Sequence, residues 1–121
     1  MTFAEKYEEL KTKYDAQADF SKAREDFAAE ITLTDADCGG TFYVLCKKGR
    51  AEMAPYNYYD HTVCVKIGSA LLEALLQGKK NPVNEFLLGN LEAEGEPSHA
   101  LALIDAMRLK RRGRKNTGAP A

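Results

Sequence analysis

Gly68-Ser69-Ala70-Leu71-Leu72-Glu73-Ala74-Leu75-Leu76-Gln77-Gly78-Lys79-Lys80-Asn81-Pro82 decides the fold. It contains a helix start, a helix stop and a second helix start in immediate succession. Ser69 is the expected N-cap of a leucine-rich helix carrying Leu71, Leu72, Leu75 and Leu76, and Gly78 ends it. Asn81 then caps a second helix, with Pro82 at the first helical position, where its missing N–H costs nothing. That helix carries Phe86 and Leu87 and stops at Gly89.

Downstream, Leu91 to Glu94 reads as a short strand ending at Gly95. Pro97-Ser98 opens a last helix, with Ala100, Leu103, Ile104 and Met107 at i, i+3, i+4, i+7 spacing. Upstream, the period is two. Phe27, Ala29, Ile31 and Leu33 alternate with polar neighbours and run into the turn residues Asp35 to Gly40. Thr41 to Cys46 is apolar on both sides, as expected of a central strand covered on each face. Lys48-Gly49 is a turn before a strand from Arg50 to about Ala54, and Pro55 with Tyr56, Tyr58 and Tyr59 forms a loop. His61 to Ile67 alternates again, with Val63, Val65 and Ile67 on one face. The N-terminal segment, residues 3–27, reads as helical. Phe3, Tyr7, Leu10 and Tyr14 form one stripe that Asp15 breaks. A second short segment from Asp19 to Phe27 carries Phe20, Ala23 and Phe27, with Asp19 or Ser21 as its cap. Four strands, two helices, one strand and a final helix make an α+β layer of one sheet with helices on it.

The chain has 121 residues, 45% hydrophobic and 29% charged, which is ordinary globular usage and one domain's worth of chain. The domain is expected over residues 3–109. No apolar run approaches the roughly 20 residues of a membrane span. Phe3 is followed by Glu5 and Lys6 rather than the apolar stretch of a secretory signal, so a cytoplasmic location is expected. The net charge of −1 conceals an asymmetry. Arg108, Lys110, Arg111, Arg112, Arg114 and Lys115 cluster near the C-terminus, leaving eleven basic against eighteen acidic residues before them, a body at −7. Residues 110–121 are expected to be a basic, disordered tail. It lacks interleaved aromatics and sits beside an acidic body, so nucleic acid is not its expected partner. It is either a solubiliser or a contact for anionic membranes.

The chemistry-bearing residues are sparse. Cys38, Cys46 and Cys64 are an odd number without a C-x-x-C pair and read as reduced thiols. A zinc site from Cys46, His61 and Cys64 is not expected, because only His61 and Cys64 form a close pair. Gly78-Lys79-Lys80 lacks the upstream Gly and following Ser/Thr of a phosphate loop, and Gly39-Gly40 precedes a strand rather than a helix. No nucleophile motif is present, and His61 and His99 read as surface or capping residues. No cofactor, metal or catalytic group is expected. Tyr56, Tyr58 and Tyr59 gate a cavity mouth or cover a loop; the residues do not choose. The helices carry more apolar surface than three short helices need, so they either fill a core or line a cavity for an apolar ligand.

From Gly68 to Met107 the sequence resembles the sterol carrier protein type 2 family. The residues that carry the likeness are Leu71-Leu72, Leu75-Leu76, Gly78-Lys79, Asn81-Pro82, Phe86-Leu87, Gly89, Leu91 and Gly95 before the last apolar helix. Gly39-Gly40-Thr41-Phe42 resembles the family's approach to its second strand. The resemblance covers about Phe20 to Met107. It implies a five-stranded, mostly antiparallel mixed sheet packed against helices and enclosing an apolar cavity. It also implies a non-enzymatic protein that binds fatty acyl, acyl-CoA, isoprenoid or sterol-like ligands. The end of the chain, Gly118-Ala119-Pro120-Ala121, lacks the peroxisomal signal, so the chain is similar to stand-alone prokaryotic members. Leu88 stands where several animal members carry Gln, one polar handle fewer for a sterol. The expected lining is Phe42, Val44, Val63 and Val65 from the sheet, Leu72, Leu75 and Leu76 from the leucine-rich helix, Phe86 and Leu87 from the next, and Leu103, Ile104 and Met107 from the last. The alternative is an accessory subunit whose apolar helices pack on a partner enzyme of lipid or quinone metabolism. The oligomeric state stays open, a homodimer included.

Overall fold

Alternating apolar residues lay down four strands in the computed structural model, which describes residues 1–15, 18–21 and 25–109. They are β1 (Phe27–Leu33), β2 (Gly40–Lys47), β3 (Arg50–Ala54) and β4 (Val63–Ile67), preceded by helix α1 (Phe3–Lys13). Helices α2 (Ser69–Leu76) and α3 (Pro82–Leu87), strand β5 (Glu92–Gly95) and helix α4 (Pro97–Met107) complete the order. The strands lie in the order β3-β2-β1-β4-β5. Only β1 and β4 pair in parallel, with Ile31 opposite Val65, and the other three pairs are antiparallel. This is the α+β, five-stranded, mostly antiparallel mixed sheet that the sequence implied.

The parallel pair follows from the chain's route. The β2–β3 hairpin closes in two residues, Lys48 and Gly49, both at positive φ (51° and 78°), which matches the twist of the flanking strands. The loop after β3 then carries the chain back across the sheet to place β4 on the far side of β1. At the other end Gly40 opens β2 directly against the Phe3 ring; a Cβ there would stand 2.5 Å from ring carbons. Only glycine lets α1 settle that closely.

The core lies on one face. Ala29, Ile31, Leu33, Phe42, Val44, Cys46, Val63, Val65 and Ile67 are buried beneath the helices, while Glu30, Thr32, Tyr43, Leu45 and Cys64 on the opposite face are only partly covered. Strand β2 therefore buries alternate residues, contrary to the expectation of a strand covered on both sides. Its second face is apolar because Tyr43 packs against Tyr58 of the loop, ring centroids 4.8 Å apart, and not because a second layer lies there.

Three further expectations are corrected. The helix cap is Gly68, not Ser69. Ser69 is buried, and its N–H and hydroxyl donate to Asp35 at 2.8 and 2.9 Å, so a carboxylate from the β1–β2 loop caps α2 from a distance. The Ser69 backbone bond, chief among its causes, holds the Asp35 carboxyl below its ordinary value. Phe27 begins β1 instead of ending a helix, and Ala23 of that expected helix lies outside the described residues. His99 is no surface residue. It is buried in the first turn of α4, with Nδ1 2.7 Å from the Thr62 hydroxyl and Nε2 2.9 Å from Glu25. Asn81 does cap α3, accepting from the N–H groups of Val83 and Asn84. The basic tail from Lys110 onward lies outside the described residues.

Candidate functional site

The central strands present Ile31, Val63, Val65 and Ile67 to the helices, joined by Ala93 of β5. Above this floor stand Leu72 and Leu75 of α2 and Ala100, Leu103 and Ile104 of α4. The side chains do not meet. They leave a cavity of about 200 Å³ that opens beside α3, where Pro82, Val83, Phe86, Leu91 and Leu101 form the mouth. A cavity of roughly 150 Å³ already holds a benzene ring. Among the described residues no charged, hydroxyl or amide side chain lines the space. A ligand there is held by the area it removes from water, at about 25 cal/mol per Å², and by shape.

Short α3 is why the cavity opens. Its six residues sit between Asn81 and Leu88, too few to cover the gap between α2 and α4. Phe86 and Val83 are half-exposed, each at 48%, while Leu87 and Leu88 reach 75% and 70%. The α2–α3 loop beside them carries exposed Lys79 and Lys80, and the Arg108 guanidinium lies against Gly78 in the same loop.

On the α1 side the same sheet face is nearly full. A void of about 20 Å³ remains among Leu10, Phe42, Val44, Met53, Leu76 and Met107, with Ile31, Leu72, Leu103 and Ile104 forming the wall it shares with the large cavity. With no polar partner lining it, a hole of that size stays dry. Above it, Glu73 of α2 accepts from Lys6 Nζ at 2.6 Å, Tyr14 Oη at 3.0 Å and Lys13 Nζ at 3.2 Å. Burial opposes the charge of Glu73, but these three donors outweigh it and hold the carboxyl below its ordinary value. Lys6, in turn, is desolvated yet held above the usual lysine value by Glu73 and Glu9.

Seven of the twelve expected lining residues border the large cavity: Val63, Val65, Leu72, Leu75, Phe86, Leu103 and Ile104. Phe42, Val44, Leu76 and Met107 border the small void instead, since β2 and the end of α4 lie on the α1 side. Leu87 borders neither and faces solvent. Sequence reasoning missed Ile31, Ile67, Val83, Leu91 and Leu101. Strand parity marked Ile31 and Ile67 as inward residues; only the parallel β1–β4 register puts Ile31 beside Val65. Of the basic residues expected at a membrane, Arg108 is exposed at the end of α4.

Helices on one face of a mixed sheet, with an apolar cavity between the two layers, define the class of fold. Within that class it is the fold of the sterol carrier protein 2 domains. The palmitated SCP2L2 of Aedes aegypti superimposes with a TM-score of 0.61 at 16% identity, over 93% of this chain and 99% of that one. UbiJ-SCP2, described as a ubiquinone synthesis protein, gives 0.60 at 10% identity over 88% of both chains. A part of the stereoselective inverting sec-alkylsulfatase Pisa1 from Pseudomonas sp. matches at 0.63 and 11% identity, over 71% of this chain; that match spans only 13% of the sulfatase. No family model matches the chain, and no curated protein matches it.

Proposed function

We propose that this domain binds a lipid or other apolar small molecule non-covalently in the cavity between sheet and helices, and carries it without catalysing a reaction. The observation that carries this reading is an all-apolar space of about 200 Å³ left open to solvent between the sheet and the helices. A solid core would close such a space, because unfilled volume costs roughly 24 cal/mol per Å³. The palmitated neighbour supports an acyl ligand. The cavity holds a ring or a short acyl segment, and a longer chain extends past α3. Each described cysteine is a free thiol, which supports a carrier working in the reducing cytoplasm.

Anionic bilayers are the surface to which the carrier delivers. Val83, Phe86, Leu87 and Leu88 supply an apolar lip at the cavity mouth, and Lys79, Lys80 and Arg108 flank it. Each such cation near an anionic surface contributes about 1 kcal/mol, and salt screens it over about 8–10 Å. The basic residues Lys110, Arg111, Arg112, Arg114 and Lys115 add to that attraction. A second reading, an accessory subunit of a lipid- or quinone-metabolising enzyme, is favoured by the same exposed lip and by the likeness to UbiJ-SCP2. Native mass spectrometry of the purified protein separates them. A co-purifying lipid released by organic extraction is the expected result. A stoichiometric protein partner with no lipid, and no uptake of a fluorescent fatty acid, overturns the carrier.

A further inference from the structure

The sheet face opposite the cavity carries a second cluster. Strand register puts Glu30 of β1 beside Cys64 of β4, and Cys64 beside Glu94 of β5. A carboxylate, a thiol and a carboxylate thus form a row across three strands on the open face. His61, two residues before β4, brings an imidazole to the same place. Cys64 Sγ lies 3.7 Å from Glu30 Oε1, and His61 Nδ1 lies 3.9 Å from Glu30 Oε2. One ligand atom from each of Glu30, His61 and Cys64 falls within 4.8 Å of the other two. Zinc held tetrahedrally at about 2.0–2.3 Å keeps neighbouring ligand atoms roughly 3.3–3.7 Å apart, so the cluster needs only small side-chain adjustments. From this we infer that Glu30, His61 and Cys64 form a site for a divalent metal of zinc type, with exposed Glu94 or water completing the shell.

Glu30 gives the strongest reason. Its side chain is only 12% exposed, yet among the described residues it has no lysine or arginine within ion-pair distance. Among the described residues its ion-pair partner is His61, a cation only when protonated, so a bound dication would meet a carboxylate that no fixed positive charge neutralises. On this face Lys66 stands two residues beyond Cys64 along β4, opposite Glu92. Of the ligands, Glu30 is also oriented from behind. The Tyr58 N–H donates to Glu30 Oε2 at 2.8 Å, and the Tyr58 carbonyl accepts from His61 Nδ1 at 2.7 Å. A backbone N–H donating to one carboxylate oxygen, as Tyr58 does to Glu30, fixes the orientation of a metal-binding carboxylate. Metal binding at His61 Nδ1 breaks its bond to the Tyr58 carbonyl and moves the imidazole proton to Nε2, while binding at Cys64 releases the thiol proton to solvent. Burial, with the Glu30 charge, keeps that thiol protonated otherwise; a dication reverses the balance.

Such a metal clips the tyrosine loop to β1 and β4. Local spacing hid the site, because the third ligand comes from a strand 34 positions away, through the parallel pairing. The test uses the reduced full-length chain, titrated first with cobalt(II) and then with zinc(II). One equivalent of cobalt is expected to give a thiolate-to-cobalt charge-transfer band that zinc abolishes. Cys64→Ser should remove the band, Glu30→Gln and His61→Ala should each weaken zinc binding at least tenfold, and Cys38→Ser should leave both unchanged. Independently of any variant, zinc should protect Cys64 of the wild type from alkylation, read by peptide mass. A folded wild type with neither band nor protection overturns the inference, as does a band that survives in Cys64→Ser.

Discussion

At the α1 end of the helical layer, Tyr7, Leu10 and Tyr14 are buried against the sheet, and Glu73 joins α1 to α2 through three donors. At the α3 end, on the same sheet face, Val83, Phe86, Leu87 and Leu88 stand in water beside an empty volume ten times larger than the void under α1. Both ends are built from comparable apolar side chains, so hydrophobicity does not separate them. Length and cross-linking do. Helix α1 has eleven residues and a capping box from Thr2 and Glu5, whereas α3 has six. A six-residue helix contributes little stability of its own and cannot span the opening. The molecule keeps its stability at one end and its capacity at the other.

Mutation should expose that division, the sealed end first. Leu10→Ala removes a side chain that is 1% exposed and enlarges a void that is already dry, so a loss of about 2–5 kcal/mol is expected in denaturant unfolding. Glu73→Gln should cost about 1.5–3 kcal/mol, because the bonds it weakens involve charged groups. The pH dependence has a definite sign. The Glu73 carboxyl is held below its ordinary value of 4.5, so its contribution is complete above that pH and is lost as the pH falls through the lowered value. Wild type should therefore lose stability on acidification more steeply than Glu73→Gln. Parallel acid limbs would show that the network does not titrate with folding. Asp35→Ala should cost about 1 kcal/mol, the usual worth of a helix cap, read as a lowered Tm.

At the open end, stability should barely respond. Leu87→Ser should change it by no more than about 0.5 kcal/mol. The same substitution should slow fatty-acid transfer to anionic vesicles, with a smaller effect at high salt. Ile104→Trp fills part of the large cavity and should weaken uptake of a fluorescent fatty acid at least tenfold. Its stability cost should fall below the roughly 1–3 kcal/mol of overpacking a solid core. A large fall in Tm without any change in uptake would place Ile104 in a filled core.

How much of this was legible follows from the range of each interaction. The strands, the Asn81–Pro82 helix start and the last helix rest on neighbours a few positions apart, and their boundaries came out within about two residues. The remote cap of α2 did not, because Asp35 acts across 34 positions. The lining divided for the same reason. Periodicity says that Val44 and Val65 both point inward, but only strand order puts one under α1 and the other under α3. Leu87 was misplaced because a leucine on a short helix looks buried until the helix proves too short to cover anything.

Methyl-resolved NMR with palmitate reports on both ends at once. Palmitate should shift the methyl signals of Val63, Val65, Leu75 and Ile104 strongly while leaving those of Leu10 and Val44 nearly in place. Shifts of equal size at both ends, or none at any methyl at saturating palmitate, would contradict a carrier with one sealed end and one open end.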